Sequence, residues 1–289
     1  MMVSIIIPTF NRPALLQRAV ASALVACPGD GEVIVVDDRS DTAVKALRSV
    51  DDHPRLRIIT NTGDKGAAGA RNHGVAQALG EIVMFLDDTD EMASDYPKRV
   101  LLAAGESADW GFSARPGAET VTQVTGFIPD DVPLLDRLPT FNAGFWVKRP
   151  LFHKLGPILT DQTIDQDVDF AVRLYGHGHK AWHDDTPGCT AQKDVTPTEQ
   201  TDPIARAQAY LRTFQRNQAL FAPRFPDRWA LIQRCLHAAA LHRADAPALK
   251  LLRDLTPLDW RIRAWVLWQI AKRRAQTRHP RSTTHLARS

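Results

Sequence analysis

A run of four oxygen-bearing side chains, Asp87-Asp88-Thr89-Asp90, follows the apolar segment Ile82-Val83-Met84-Phe85-Leu86. A strand ending this way sets several carboxylates at one edge of a sheet. Such oxygens are what Mg²⁺ or Mn²⁺ takes as ligands, usually one or two carboxylates together with substrate phosphates. The competing structural reading has Asp90 capping the next helix and Asp87 satisfying a loop. A second acid, Asp38, closes the apolar run Glu32-Val33-Ile34-Val35-Val36 through Asp37, where it is suited to accept hydrogen bonds from a base or ribose. The stretch Gly66-Ala67-Ala68-Gly69-Ala70-Arg71-Asn72 opens a helix with small residues and then supplies a guanidinium. An Arg beside a positive helix end suits a diphosphate, although close packing also explains the small residues. Asp165, Asp167 and Asp169 stand at another helix start, where acids favour the helix dipole.

These residues need elements to hold them. Val3-Ser4-Ile5-Ile6-Ile7 reads as a buried strand, and Pro13 to about Cys27 as a helix with one apolar face. Residues 32–36 form a second strand, 42–50 a helix, 56–59 a third strand, 66–79 a helix and 82–86 a fourth strand. Continuous apolar strands separated by helices imply an α/β fold with a parallel sheet covered on both faces. Ligands then bind beyond the carboxyl ends of the strands, where Thr9-Phe10-Asn11, Asp37-Asp38 and Asp87–Asp90 all fall. The middle, 93–150, is rich in Pro and Gly and reads as irregular, with a buried strand at 141–147. A helix follows at 167–174. From about residue 201 the pattern is helical, over 204–221, 228–243, 246–254 and 259–275.

Composition is that of an ordinary globular protein, with 44% hydrophobic and 24% charged residues. The net charge of +3 hides an asymmetry. Residues 260–289 carry eight Lys or Arg and no acid, leaving 28 basic against 33 acidic residues in the body. That pattern argues against a nucleic-acid partner and for a tail that visits an anionic surface. Cys27, Cys189 and Cys235 match no metal or redox spacing and read as inert thiols in a reducing compartment. No secretory signal and no membrane-spanning run is legible, so the expected location is the cytoplasm, with the inner face of the membrane open to it.

The motifs, taken together, resemble family 2 glycosyltransferases of GT-A fold. Val3 to Arg12 is similar to that family's opening strand, and Val35-Val36-Asp37-Asp38-Arg39-Ser40 to its second strand with an Asp-Asp-x-Ser ending. Asn61 through Gly66, Ala70-Arg71-Asn72, Gly74 and Gly80-Glu81 to Phe85-Leu86-Asp87 resembles its third block. The likeness is close over the first ninety residues and weaker to about residue 185. It implies a GT-A catalytic domain over 1–195, a Rossmann-like, mostly parallel sheet flanked by helices, and a helical carboxyl-terminal region over 196–289. It also implies that Pro8, Thr9 and Phe10 form the base floor, that Asp38 binds base or ribose, and that Arg71 lies between base and diphosphate. The metal motif would start at Asp87. Counted from Gly80-Glu81, its second acid falls on Thr89, while Asp88 and Asp90 make an Asp-x-Asp in a shifted frame. Asp165-Gln166-Asp167-Val168-Asp169 resembles the family's acidic helix start, with Gln166 in place of Glu and Asp167 at the catalytic base position. The activity implied is inverting transfer from a nucleotide-diphosphate sugar, UDP-linked, to an acceptor hydroxyl, with Mn²⁺ or Mg²⁺, in bacterial surface glycan or polysaccharide synthesis. A glycan or a lipid-linked molecule would be the acceptor.

Other readings stay beside this one. A nucleotidyltransferase would want a glycine-rich phosphate loop after the first strand, and Pro8-Thr9-Phe10-Asn11 offers none. A degenerate homologue that binds nucleotide sugar or glycan without turnover is kept open by Thr89 and Gln166. Trp146 reads either as a sugar-stacking ring or as core. His183 is expected at the surface, and His177-Gly178-His179 in a turn. Trp260, Trp265 and Trp268 among cations read either as an interfacial helix giving peripheral membrane contact or as a helix packed on the domain.

Overall fold

A computed structural model describes residues 1–41, 53–116, 124–132, 141, 144–162, 164–192 and 203–221, with scattered positions between 250 and 272. The helix expected at 42–50 and most of those expected beyond 221 lie outside the described residues, as do Cys235 and Trp265.

Four parallel strands make the frame: β1 (Val3–Thr9), β2 (Glu32–Asp37), β3 (Leu56–Thr60) and β4 (Ile82–Phe85). Their spatial order is β3-β2-β1-β4, and helices α1 (Pro13–Ala26) and α2 (Ala67–Gln77) make crossovers. The sheet continues through β8 (Trp146–Lys148), β6 (Trp110–Ser113), β9 (Trp182–Asp184) and β7 (Gly126–Phe127). β8 runs antiparallel to both β4 and β6, and β6 pairs parallel with β9, so the sheet is mixed with a parallel core. A separate ribbon joins β5 (Asp90–Met92) to β10 (Cys189–Ala191).

Alternate strand residues feed two apolar layers, as period-two geometry requires. Ile6, Ile34, Val36, Val83 and Phe85 face α2, α5 (Gln166–Gly176) and α6 (Pro203–Arg216). Ile5, Ile7, Val33, Val35, Ile82 and Met84 face α1 and α3 (Tyr96–Gly105). Each fully buried Ile or Val contributes roughly 1.5–3 kcal/mol, but with both faces apolar that energy barely distinguishes one register from its neighbour. A buried polar pair does. Ser4 lies opposite Glu32; its hydroxyl donates to Glu32 Oε1 at 2.7 Å and accepts the Gly80 amide at 2.9 Å. A slip of one residue would strand the Glu32 carboxylate in the core without its donors.

The region expected to be irregular is built of short elements instead. Among its described residues are α3, β6, β7 and β8, with α4 (Arg149–Leu155) following. Strands of two to four residues carry too little pattern to read from sequence. α3 had a signal, with Pro97 in its first turn and Tyr96, Val100, Ala103 and Ala104 inward. The strand expected at 141–147 starts only at Trp146, because Gly144 takes a left-handed conformation (φ 66°) and its carbonyl accepts the Tyr96 hydroxyl. Trp146 is a core residue. His183 is buried on β9 against the Phe112 ring, not at the surface, since β6 and β7 flank it on both sides. The turn at 177–179 is present, with Gly178 at φ 84°. α6, beyond the boundary expected at 195, packs on α5 and puts Tyr210, Leu211 and Phe214 into the same apolar layer.

Candidate active site

Because β1, β2 and β4 are parallel, their carboxyl ends meet along one rim. Hydrogen bonds across the strand ends tie that rim together. The Asp38 amide donates to the Thr9 carbonyl (2.9 Å), the Leu86 amide to the Ile6 carbonyl (3.0 Å), and the Thr9 hydroxyl to Asp88 Oδ2 (2.8 Å). Above the rim opens a cavity of about 570 Å³. Pro8, Thr9, Phe10, Asp38, Arg71, Asp87 and Asp88 all line it, together with Arg12, Lys65 and Thr89. Seven of the residues singled out from sequence are therefore brought to one hollow.

Phe10 presents a ring 40% exposed, a flat apolar surface at the mouth. Asp38 is buried and accepts from the Asn61 side-chain amide (2.6 Å) and the Gly66 backbone amide (2.7 Å). That pairing folds residues 61–66 against the start of α2. Gly66 has φ 108°, a conformation that side chains resist. Gly69 accepts the loop's approach, since a Cβ there would lie 1.8 Å from the Asp64 carbonyl oxygen. The small residues of this helix start thus have a packing reason as well as a place in the cavity wall.

The acidic run divides in two. Asp87 keeps its carboxylate toward the cavity and pairs with Arg71 at 2.5 Å. Asp88 is held by Thr9 and by Arg12 (3.2 Å); burial pushes its pKa up, partly offset by those two donors. Asp90 is not in the cavity wall. Its backbone belongs to the β5–β10 ribbon opposite Ala191, its side chain is buried, and its Oδ2 has no hydrogen-bond partner. Burial, with the charge of Asp87, raises its pKa to about 7. The shifted frame Asp88-Thr89-Asp90 therefore has only its first acid at the cavity. Gln192, which the sequence did not point to, fastens the loop by donating to the carbonyls of Leu15 (3.0 Å) and Asp88 (3.2 Å).

Asp167 lies outside the cavity wall, linked to it by one chain of contacts. It is half-buried at the start of α5 and accepts from the amides of Val168 (3.0 Å) and Phe141 (3.2 Å). The Phe141 ring lies under the Arg71 guanidinium at 4.3 Å, and Arg71 reaches Asp87. Burial and the neighbouring Asp165 raise the Asp167 pKa to about 6, while the charge of Arg71 draws it down. Gln166 turns inward and donates to the Gln162 carbonyl (2.7 Å).

Asp87 and Asp88, with the Thr89 hydroxyl beside them, suit an ion that arrives with phosphates, which needs only one or two carboxylates from the protein. Among the described residues, no group of three or more His, Cys, Asp or Glu is close enough to hold an ion unaided. Nor is any helix among them long and apolar enough to cross a membrane. Cys27 and Cys189 are buried thiols.

Comparison with known proteins agrees with this geometry. The model of glycosyl transferase family 2 matches residues 4–126. A GalNAc(5)-diNAcBac-PP-undecaprenol beta-1,3-glucosyltransferase of Campylobacter jejuni is 40% identical over 108 residues, 36% of this chain and 34% of that protein. Validoxylamine A glucosyltransferase of Streptomyces hygroscopicus subsp. limoneus is 30% identical over 220 residues, 61% of this chain and 48% of the relative. The chain thus spans between about a third and a half of the length of these curated relatives. Among solved structures, S. aureus TarS 1-349 in complex with UDP-GlcNAc superposes with a TM-score of 0.69 at 16% identity, covering 96% of this chain and 92% of that one. The mannosyltransferase PcManGT of Pyrobaculum calidifontis, in complex with GDP-Man and Mn²⁺, does so at 0.58 and 21%, covering 95% and 86%. These likenesses give the whole described body the GT-A architecture. The segment that matches glycosyl transferase family 2, residues 4–126, contains every cavity residue named above.

Proposed function

We propose that this protein is an inverting glycosyltransferase that moves a sugar from a UDP-linked donor to an acceptor hydroxyl in bacterial surface glycan synthesis. The observation that carries the reading is the single cavity in which an aromatic shelf (Phe10), a buried acid (Asp38) and two carboxylates (Asp87, Asp88) meet. An Arg–Phe bridge leads from it to a second acid of raised pKa. In this reading Pro8, Thr9 and Phe10 take the base, and Asp38 the base or ribose. Asp87 and Asp88 hold Mn²⁺ or Mg²⁺, and Asp90 supports the loop beneath them. When bound, such an ion withdraws charge from the departing diphosphate. Asp167 accepts the proton of the acceptor hydroxyl as that oxygen bonds to the anomeric carbon and the bond to the diphosphate breaks. A carboxylate with a pKa near 6 is deprotonated at neutral pH yet basic enough to take that proton.

The names of relatives support the acceptor class. The Campylobacter protein above and an Escherichia coli UDP-Glc:alpha-D-GlcNAc-diphosphoundecaprenol beta-1,3-glucosyltransferase, 37% identical over 91 residues, are named for lipid-linked molecules. A lipid-linked acceptor would place the enzyme at the cytoplasmic face of the membrane. The exposed Trp260, Leu267 and Trp268, with Lys272 over the Trp268 ring at 5.0 Å, fit peripheral contact there. Co-sedimentation with anionic vesicles checks this; equal pelleting of the wild type and a W260S/W268S variant would sink it.

The central test is donor hydrolysis. Incubation with UDP-sugars and Mn²⁺ is expected to release UDP, and the anomeric configuration of a transferred sugar, read by NMR, decides inversion. A second reading, a binder without turnover, draws on Thr89, which lines the cavity where the family motif has an acid. UDP binding with no release from any donor, with or without acceptor lipid, would favour it.

A further inference from the structure

Three cations line the cavity, and their surroundings separate them. Arg71 is enclosed: its side chain is 7% exposed, it holds Asp87, and its guanidinium lies on Phe141. Arg12 holds the buried Asp88. Lys65 has no carboxylate partner among the described residues. Its ammonium sits 4.6 Å from the centre of the Phe10 ring, on an exposed side chain. The backbone that carries it is nonetheless fastened. Gly66 donates to Asp38, the Asn61 amide donates to the Asp64 carbonyl (2.7 Å), and the Thr160 hydroxyl donates to Asp64 Oδ2 (2.6 Å). A cation without a carboxylate partner among the described residues thus hangs from a fastened loop over the aromatic shelf.

We propose that Lys65, and not Arg71, reads the phosphates of the nucleotide, and that in their absence it covers the base shelf. The inference rests on the nucleotide-sugar reading above. A base that stacks on Phe10 takes the ring face now under the ammonium. Lys65 then exchanges a cation–π contact for a charge-assisted bond to a phosphate oxygen, the stronger of the two in a wet cleft. Its four-carbon stem and three donors make that exchange without moving the fastened loop. Arg71 has no such freedom. Turning toward a phosphate would break its 2.5 Å pair with Asp87 and take the guanidinium off the Phe141 ring. Its work is positioning: it sets Asp87 on one side and, through Phe141, Asp167 on the other.

Titration calorimetry on the full chain separates these roles. Uridine and UDP are titrated into wild type, Lys65→Met and Lys65→Arg at low and moderate KCl. Lys65→Met is expected to weaken UDP by about tenfold, the scale of one charge-assisted hydrogen bond, and to leave uridine unweakened. Lys65→Arg should retain most of the UDP affinity, and the salt dependence of UDP binding should flatten only in Lys65→Met. Equal weakening of uridine and UDP would assign Lys65 to the base and overturn the proposal. Unchanged UDP binding in Lys65→Met would overturn it as well. If the wild type binds neither ligand, the nucleotide-sugar reading itself has failed, a result distinct from either.

Discussion

The two ends of the eight-stranded sheet serve the cavity by different means. At the parallel end, strands of four to seven residues carry Phe10, Asp38 and Asp87 directly to the rim. At the mixed end, β6, β8 and β9 have three or four residues, and the acid proposed as base sits on a helix, held by amides of Val168 and Phe141. The first end is a rigid frame that fixes where a ligand lies. The second is assembled from short pieces, and the proton affinity of its acid is set by burial and by Asp165, Val168, Arg71 and Phe141. Arg71 is where they join, bonded to Asp87 and stacked on the ring of Phe141, whose amide donates to Asp167.

That division is open to attack at several points. Asp167→Asn should lower turnover by roughly 10²- to 10⁴-fold, the usual contribution of a general base, while the UDP Kd stays put. A matching loss of UDP affinity would erase the division of labour. Arg71→Ala should strike both ends at once, weakening Mn²⁺-dependent donor binding by roughly 10- to 100-fold, as loss of a group that orients a metal ligand does, and lowering turnover as well. A loss confined to one parameter would show that Arg71 does not join the two ends.

A pH series is subtler. Asp167 must be deprotonated to act, so kcat/KM should rise with pH and level off above about 6. In Arg71→Lys, whose cation sits less squarely on Phe141, the inflection should move upward, because the charge of Arg71, after the Val168 amide, draws that pKa down. A profile that is flat from pH 5 to 8 would remove Asp167 as base.

The smallest effect concerns Asp90, whose folded pKa of about 7 stands above its ordinary value. The folded protein then holds a proton that the unfolded chain releases. Its contribution to stability is complete below the unfolded pKa and is lost as pH rises through about 7. Asp90→Asn should therefore melt higher than wild type at pH 8 and alike at pH 4, with donor hydrolysis retained. Loss of hydrolysis in that variant would return Asp90 to the metal site.

Much of the parallel end was legible in the sequence because each strand is a continuous apolar run closed by a polar residue. Val3–Thr9, Glu32–Asp37 and Ile82–Phe85 lie within a residue or two of where pattern alone sets them. The mixed end was not legible. Gly126–Phe127 and Trp146–Lys148 are too short to show a period, and they are strands only because a partner lies alongside. Lys65 gave no sign beyond its place before a glycine, and Arg12 stood in a motif without a role.

The sequence by itself determined the rim: parallel order follows from the alternation of strands and helices, and parallel strands must end on the same side. It determined that Phe10, Asp38 and Asp87 would meet. Only the tertiary structure decided which acid of the run faces the cavity. Asp90 is turned away because its strand pairs with Ala191, a residue about a hundred positions on, and no local pattern encodes that partner. It also decided that Arg71 is occupied, since the Asp87 carboxylate and the Phe141 ring reach it from separate elements. Side-chain direction and charge pairing are set by contacts distant in sequence, and so they wait for the folded chain.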